Sequence, residues 1–102
     1  MGTKKIIIVW SIDAKNSLKS IYNYYFDLSE QAAEHIKRDI LDKVATLRFV
    51  KQYQVDDINP GYRRIIVRHY KVVYKVENQT ILILNIFDTR QDPAKSKIIR
   101  EL

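Results

Sequence analysis

Three runs rich in β-branched and aromatic residues follow one another closely in the second half of the chain. They cover residues 62–68, 70–76 and 80–87. Only His69 separates the first two, and Glu77-Asn78-Gln79 separates the last two. Links this short turn a strand back beside its predecessor. The segment is therefore predicted to form an antiparallel meander of three strands.

Two stripes of apolar residues at helical spacing precede the meander. A β-branched run over residues 4–10 predicts a first strand. Ser11 or Asp13 then begins a helix that ends near Leu28, and Ser29 begins a second helix that ends near Arg48. The stripes are Ala14, Leu18, Ile21, Tyr22 and Tyr25 in the first helix and Ala33, Ile36, Ile40, Val44 and Leu47 in the second.

The segment 49–61 has no clear period and closes with Asn59-Pro60-Gly61, which is typical of a turn, so it is predicted to be a loop. The predicted fold class is α+β, in the order β-α-α-β-β-β, with a two-helix hairpin packed on an antiparallel sheet of about four strands. The whole chain, 1–102, is predicted to be a single domain. The expected core contains Trp10, Leu18, Ile21, Ile36, Ile40, Val44, Leu47, Val72 and Tyr74.

The composition excludes several classes of protein. With 46% hydrophobic residues and only two Gly and two Pro, the chain is not a disordered or linker-rich one. It has no cysteine, so it has neither disulfides nor a thiolate nucleophile. The apolar run Ile6 to Trp10 is too short to span a membrane. We expect a cytoplasmic protein without a cofactor.

Most of the net charge of +6 lies in the second half of the chain. Residues 60–102 carry nine Lys and Arg against four Asp and Glu, whereas residues 1–59 carry nine against eight. A basic half of this kind attracts anionic partners such as RNA, DNA or an acidic protein segment, without choosing among them. A soluble domain that merely happens to be basic is an equally open interpretation.

The candidate site is a set of cations. No metal cluster, phosphate-binding loop or Ser/His/Asp grouping can be read in the sequence, and of the two histidines only His69 stands at a strand where it could act as a base. Strand alternation places Arg64, Arg68 and Lys71 on one sheet face. There they could stabilise a phosphorane or bind acidic side chains, although solvated surface charge is the plain alternative. The full set is Arg63, Arg64, Arg68, Lys71, Lys75, Arg90, Lys95, Lys97 and Arg100.

The segment from Gly61 to Val76 closely resembles the second and third strands of RelE/ParE-family toxins of type II toxin-antitoxin systems. Residues 81–93 are similar to the last strand and the Arg-containing turn of that family, and Trp10 with the first helical stripe is similar to its start. The resemblance covers nearly the whole chain. It implies an acidic antitoxin, partly disordered when free, that binds the basic sheet face or the C-terminal tail in a hetero-oligomer.

The resemblance leaves three activities open. RelE-like members cut mRNA in the ribosomal A site, and Arg64, Lys71 and Arg90 fall at three of their cationic positions, with His69 as a candidate acid or base. However, Ser96 stands where that group has a tyrosine, and Tyr62 stands where it has a lysine. ParE-like members instead inhibit DNA gyrase, and residues 87–93 are closer to theirs. The ParE-like interpretation is therefore preferred, with an inactive toxin-fold binding module as the third possibility.

Overall fold

The computed structural model describes residues 5–48 and 53–98. A strand, two helices and three further strands follow in chain order: β1 (Ile7–Trp10), α1 (Ile12–Leu28), α2 (Glu30–Ala45), β2 (Arg63–Val67), β3 (Tyr70–Glu77) and β4 (Thr80–Asp88). A short 3-10 helix, Pro93–Ser96, follows β4. This arrangement confirms the predicted α+β fold. No helix within the described ranges is long and apolar enough to cross a membrane.

Two serines fix the ends of the helices. The Ser11 hydroxyl accepts a hydrogen bond from the amide of Ala14 at 3.0 Å and donates one to the carbonyl of Leu84 in β4 at 2.8 Å. Ser29 is the whole connection between the helices, because its amide donates to Tyr25 at the end of α1 while its hydroxyl accepts from Ala32 in α2. A one-residue joint of this kind leaves the helices antiparallel and in contact.

The strands lie in the order β1-β4-β3-β2. Strands β2, β3 and β4 form the predicted antiparallel meander, but β1 pairs with β4 in parallel, so the sheet is mixed and the expectation of a wholly antiparallel sheet is corrected at this strand. Since β2 and β4 both run antiparallel to β3, and β4 is parallel to β1, β2 runs in the same direction as β1. Strand β1 is paired with β4 from Ile7–Thr80 to Trp10–Ile83 and is the first strand in the order, so it lies at an edge of the sheet.

The helices cover one face of the sheet, and the hydrophobic core lies between the helices and that face. Six of the predicted core residues are buried there: Ile36, Ile40, Val44, Leu47, Val72 and Tyr74. The other three, Trp10, Leu18 and Ile21, are half-buried and pack against the same cluster. The two hairpins turn through residues with positive φ, Arg68 and Asn78, both at 56°.

Candidate functional site

The sheet face opposite the helices carries a small polar pocket, which we call the sheet-face pocket. Its volume is about 240 Å³. Side chains of β2 and β3 form one wall, and residues after β4 form the other. The lining comprises Asp57, Ile58, Arg64, Ile66, Lys71, Thr89, Gln91, Pro93 and Ser96. Two of the predicted site residues, Arg64 and Lys71, therefore lie together as expected.

Both cations of the sheet-face pocket are bound to carboxylates of the preceding loop. The Lys71 ammonium lies 2.8 Å from Oδ1 of Asp56, and both side chains are almost completely buried. The Arg64 guanidinium lies 2.8 Å from Oδ1 of Asp57 and 3.7 Å from Oδ1 of Asp56, and it also donates to Gln54. Strand alternation predicted that Lys71 could project from the sheet face opposite the helices, whereas the structure buries its side chain in an ion pair with Asp56.

Asn59 connects this ion pair to the C-terminal tail. Its amide and its side-chain Nδ2 each donate to Oδ2 of Asp56 at 2.8 Å. The same Nδ2 donates to the carbonyl of Ser96 at 2.8 Å, and Oδ1 accepts from the amide of Ile98 at 2.7 Å. The loop and the tail are thus joined through one buried side chain across the sheet face. We call Asp56, Asn59 and Lys71 the Asp56 cluster.

The electrostatics of the Asp56 cluster favour the charged carboxylate. Burial raises the pKa of the Asp56 carboxyl, but hydrogen bonds from Lys71 and Asn59 act in the opposite direction and outweigh it, so the pKa lies below its usual value. Asp56 and Asn59 were not predicted as site residues. The only sequence signal for them is two acids immediately before a turn, which is also common in solvated loops.

A second pocket lies on the helix side of the sheet, beside α1. This helix-side pocket has a volume of about 560 Å³ and contains Arg90 and Tyr70 among its lining residues. The Arg90 guanidinium donates two hydrogen bonds to Asp88, from Nε to Oδ1 at 3.1 Å and from Nη2 to Oδ2 at 3.0 Å. Burial, followed by the hydrogen bond with Tyr25, raises the pKa of Tyr70.

The four predicted catalytic residues do not form one group. The His69 ring contacts the Tyr70 ring in a tilted arrangement, with ring centres 4.2 Å apart, and its Nε2 lies 3.3 Å from the hydroxyl of Tyr25 in α1. His69 and Arg90 therefore associate with the tyrosines beside α1, while Arg64 and Lys71 line the sheet-face pocket. Of the residues that the structure describes, only Gln91, in the turn after β4, lines both pockets.

The remaining predicted binding residues also have partners. Arg68 binds Asp39 of α2, with Nη2 to Oδ2 at 2.6 Å, because its positive φ turns the side chain out of the strand alternation that would place it with Arg64. Lys75 lies 3.5 Å from Glu77, and Arg63 donates to the carbonyl of Tyr53 at 2.6 Å. Lys95 and Lys97 are exposed on the tail, and Arg100 lies outside the described residues. Within the described ranges, no group of three His, Cys, Asp or Glu is placed to hold a metal ion.

The comparisons with known proteins agree with this architecture. A family model described as "ParE toxin of type II toxin-antitoxin system, parDE" matches residues 8–93. The chain belongs to the ParE toxin family. The resemblance to the RelE/ParE superfamily is thereby confirmed, and the chain is a ParE toxin of a type II toxin-antitoxin system.

Solved structures show the same fold. Eleven solved chains match, among them one from the "Chromosomal ParDE TA system from P. aeruginosa", with a TM-score of 0.70 at 24% sequence identity. That match covers 79% of this chain and 92% of the other. No curated protein matches the sequence.

Proposed function

We propose that this ParE-family chain inhibits DNA gyrase and that a cognate acidic antitoxin neutralises it. The choice of target rests on the cations of the sheet-face pocket, which are already paired with carboxylates of this chain. Its two cations are held by Asp56 and Asp57, and none of the described residues lining it is a histidine or a tyrosine. A pocket of this composition does not favour RNA cleavage.

Internal cleavage of RNA makes two demands on a site. Attack by the 2′-hydroxyl builds negative charge on the phosphorane oxygens, which fixed cations must stabilise. A second group must accept or donate a proton within hydrogen-bond reach of the reacting oxygens. Here Lys71 would first have to leave a buried carboxylate, and His69, the candidate acid or base, is bonded to Tyr25 beside α1. The ribonuclease alternative therefore lacks an assembled site.

The proposed partner and location follow from the same family. The P. aeruginosa structure is named as a ParDE toxin-antitoxin system. By analogy we propose a hetero-oligomer of this chain with its antitoxin, formed in the cytoplasm where DNA gyrase acts. The charge of +6 favours an acidic antitoxin, since complementary charge accelerates association and orients the partners.

The test is a direct comparison of two targets. The purified chain is added to DNA gyrase with relaxed plasmid, and in parallel to a translating extract in which mRNA ends are mapped. We expect loss of supercoiling, accompanied by broken DNA, with no cleavage in the ribosomal A site. Pre-mixing with the product of the adjoining reading frame should restore supercoiling.

Two other outcomes are distinguishable. A-site cleavage slowed at least tenfold by Arg64→Ala and by Arg90→Ala would contradict gyrase inhibition and support the RelE-like alternative, with His69 as acid or base. Intact gyrase and intact mRNA, together with a complex that still forms, would instead identify an inactive binding module.

A further inference from the structure

The helix-side pocket is a wide cleft, of about 560 Å³, whose lining is polar and aromatic rather than basic. One wall is a continuous face of α1, formed by Asn16, Ser17, Ser20, Ile21 and Tyr24. The other wall is the end of β4 and the turn after it, and the almost completely buried Tyr70 and Ile86 lie at the base. The cleft therefore combines an apolar base with a polar rim, as binding sites commonly do.

Both walls of the helix-side pocket are held in place by hydrogen bonds. The Ser17 hydroxyl donates to Oδ1 of Asn85 at 2.5 Å, which fixes α1 to β4. The amide and the hydroxyl of Thr89 each donate to the carbonyl of His69 at 2.8 Å, which fixes the turn after β4 to the hairpin between β2 and β3. A partner that enters the pocket does not have to order these walls first, and this lowers the cost of binding.

Several side chains at the rim retain their full capacity for hydrogen bonds. Among the described residues, the side chains of Asn16, Ser20 and Gln91 make no hydrogen bond, and neither does the hydroxyl of Tyr24. All four side chains are exposed, and Tyr24 keeps 62% of its surface exposed although its ring is large and apolar. A partner therefore gains both apolar contact and hydrogen bonds without breaking any bond within the chain.

The charges of the helix-side pocket, by contrast, are already paired with each other. The lining contains one acid and one base among the described residues, and both carboxylate oxygens of Asp88 accept from the side chain of Arg90. Nucleic acids bind mainly through cations that neutralise their phosphates, and an acidic protein segment has the same requirement. The pocket offers neither of them an unpaired cation.

The composition of the lining is instead typical of a surface that binds folded proteins. Tyr and Arg are enriched among the residues that contribute most to protein interfaces, and Ser and Asn provide adaptable hydrogen bonds around rigid aromatic rings. Here Tyr24 and Arg90 stand on opposite walls, with the uncharged rim around them. Such a cleft fits a protruding, uncharged part of a protein surface.

We propose that the helix-side pocket is the surface by which this chain binds DNA gyrase, and that it receives an uncharged protrusion of that enzyme. This inference rests on the proposed inhibition of gyrase. An acidic antitoxin finds no unpaired cation there, and a second copy of the chain would bring a further charge of +6 to the contact. Arg90 then contributes as part of a binding wall and not as a phosphate-binding cation.

The first experiment compares two added side chains of equal size and charge on α1. Ser20→Arg obstructs the pocket, whereas Asn23→Arg places the same group at an exposed position outside the lining. Each variant is titrated against purified gyrase with relaxed plasmid, and its Kd for the product of the adjoining reading frame is measured in parallel. We expect Ser20→Arg to raise the half-inhibiting concentration at least tenfold and Asn23→Arg to leave it within threefold. Both variants should bind the antitoxin within threefold of the unmodified chain.

Tyr24 provides an independent readout, by removal instead of addition. Tyr24→Ala deletes an exposed ring that lines the pocket, and Phe26→Ala deletes an exposed ring of the same helix that does not. Inhibition of gyrase should weaken at least tenfold in Tyr24→Ala and less than threefold in Phe26→Ala. Melting curves should show all four variants folded, because all four positions are exposed.

Equal effects within either pair would overturn the inference. A loss of antitoxin affinity as large as the loss of inhibition would assign the pocket to the antitoxin and also overturn it. A dimer of the free chain that Ser20→Arg dissociates would assign the pocket to a second copy, and gyrase-free binding of labelled DNA that Tyr24→Ala abolishes would assign it to nucleic acid, with the same consequence.

Failure of this inference is distinguishable from failure of the proposed function. Unimpaired inhibition by both pocket variants overturns the assignment of the helix-side pocket alone. If the unmodified chain does not inhibit gyrase, the proposed function and the pocket inference fall together.

Discussion

Replacement of Asp56 by alanine is expected to destabilise the protein severely although the residue lies in a loop. Its carboxylate is fully buried and accepts hydrogen bonds from the amide and side chain of Asn59, and it forms the ion pair with Lys71. In Asp56→Ala the ammonium of Lys71, whose side chain is only 6% exposed, remains buried without its counter-charge. Removal of one member of such a pair costs about 3–5 kcal/mol.

That cost can be converted into a melting temperature. For a domain of this size 1 kcal/mol corresponds to about 4–8 °C, so even the lower figure of about 3 kcal/mol predicts a fall of about 12–24 °C. Thermal and urea unfolding followed by circular dichroism measure both quantities. The tail should also lose protection from proteolysis, since Asn59 no longer has the carboxylate that holds it against Ser96 and Ile98.

The neighbouring residue supplies a matched control. Asp57→Ala deletes the same chemical group one position along, but the Asp57 side chain is 78% exposed and its ion pair with Arg64 lies at the surface. Such pairs contribute about 0–1 kcal/mol. In Asp56→Ala/Lys71→Met both charges are gone, and most of the lost stability should return. If Asp56→Ala and Asp57→Ala unfold within about 1 kcal/mol of each other, the assignment of the Asp56 cluster as a buried structural ion pair is refuted.

Two further predictions concern stability. Hydrogen bonding holds the pKa of Asp56 in the folded protein below its value in the unfolded chain. The carboxylate therefore stabilises the fold fully at a pH above the unfolded pKa, and this stabilisation is lost as the pH falls through the folded pKa. The melting temperature of the unmodified chain should therefore fall more steeply below about pH 4 than that of Asp56→Ala, and parallel pH profiles would contradict this. Ser11→Ala should lower the free energy of unfolding in urea by about 1–2 kcal/mol, and Ser29→Ala should lower it by about half as much. The Ser11 hydroxyl caps α1 and also donates to Leu84, whereas the exposed Ser29 hydroxyl only caps α2. Equal losses would show that the Ser11 bond to β4 contributes nothing.

Local patterns predicted the parts of the fold that depend on local physics. Helical spacing and the serines at positions 11 and 29 predicted the hairpin, and short links predicted the meander. The parallel pairing of β1 with β4 was not predictable in this way, because no local signal relates Ile7 to Thr80. Its formation depends on how the hairpin directs the chain over the sheet.

The candidate site shows the same division between local and long-range information. Alternation correctly placed Arg64 and Lys71 on one face of the sheet. It did not predict that Lys71 is buried, because the carboxylate that makes this tolerable comes from a loop without regular spacing. The Arg68 side chain does not lie on the predicted face, because the hairpin turn gives this residue a positive φ. Periodicity in the sequence does not predict that angle.

The position of β4 affects the order in which the protein folds during synthesis. This strand pairs with β1 on one side and with β3 on the other. Although β1 is synthesised before β4, it therefore has no strand to pair with until β4 has been made. A nascent chain that stops before Thr80 has helices and an isolated two-stranded hairpin but no sheet that joins them. Loop closure over so many residues is slow. Folding, and with it any toxic activity, is therefore delayed until β4 has been synthesised, and a chain terminated before β4 lacks the strand that joins β1 to the rest of the sheet.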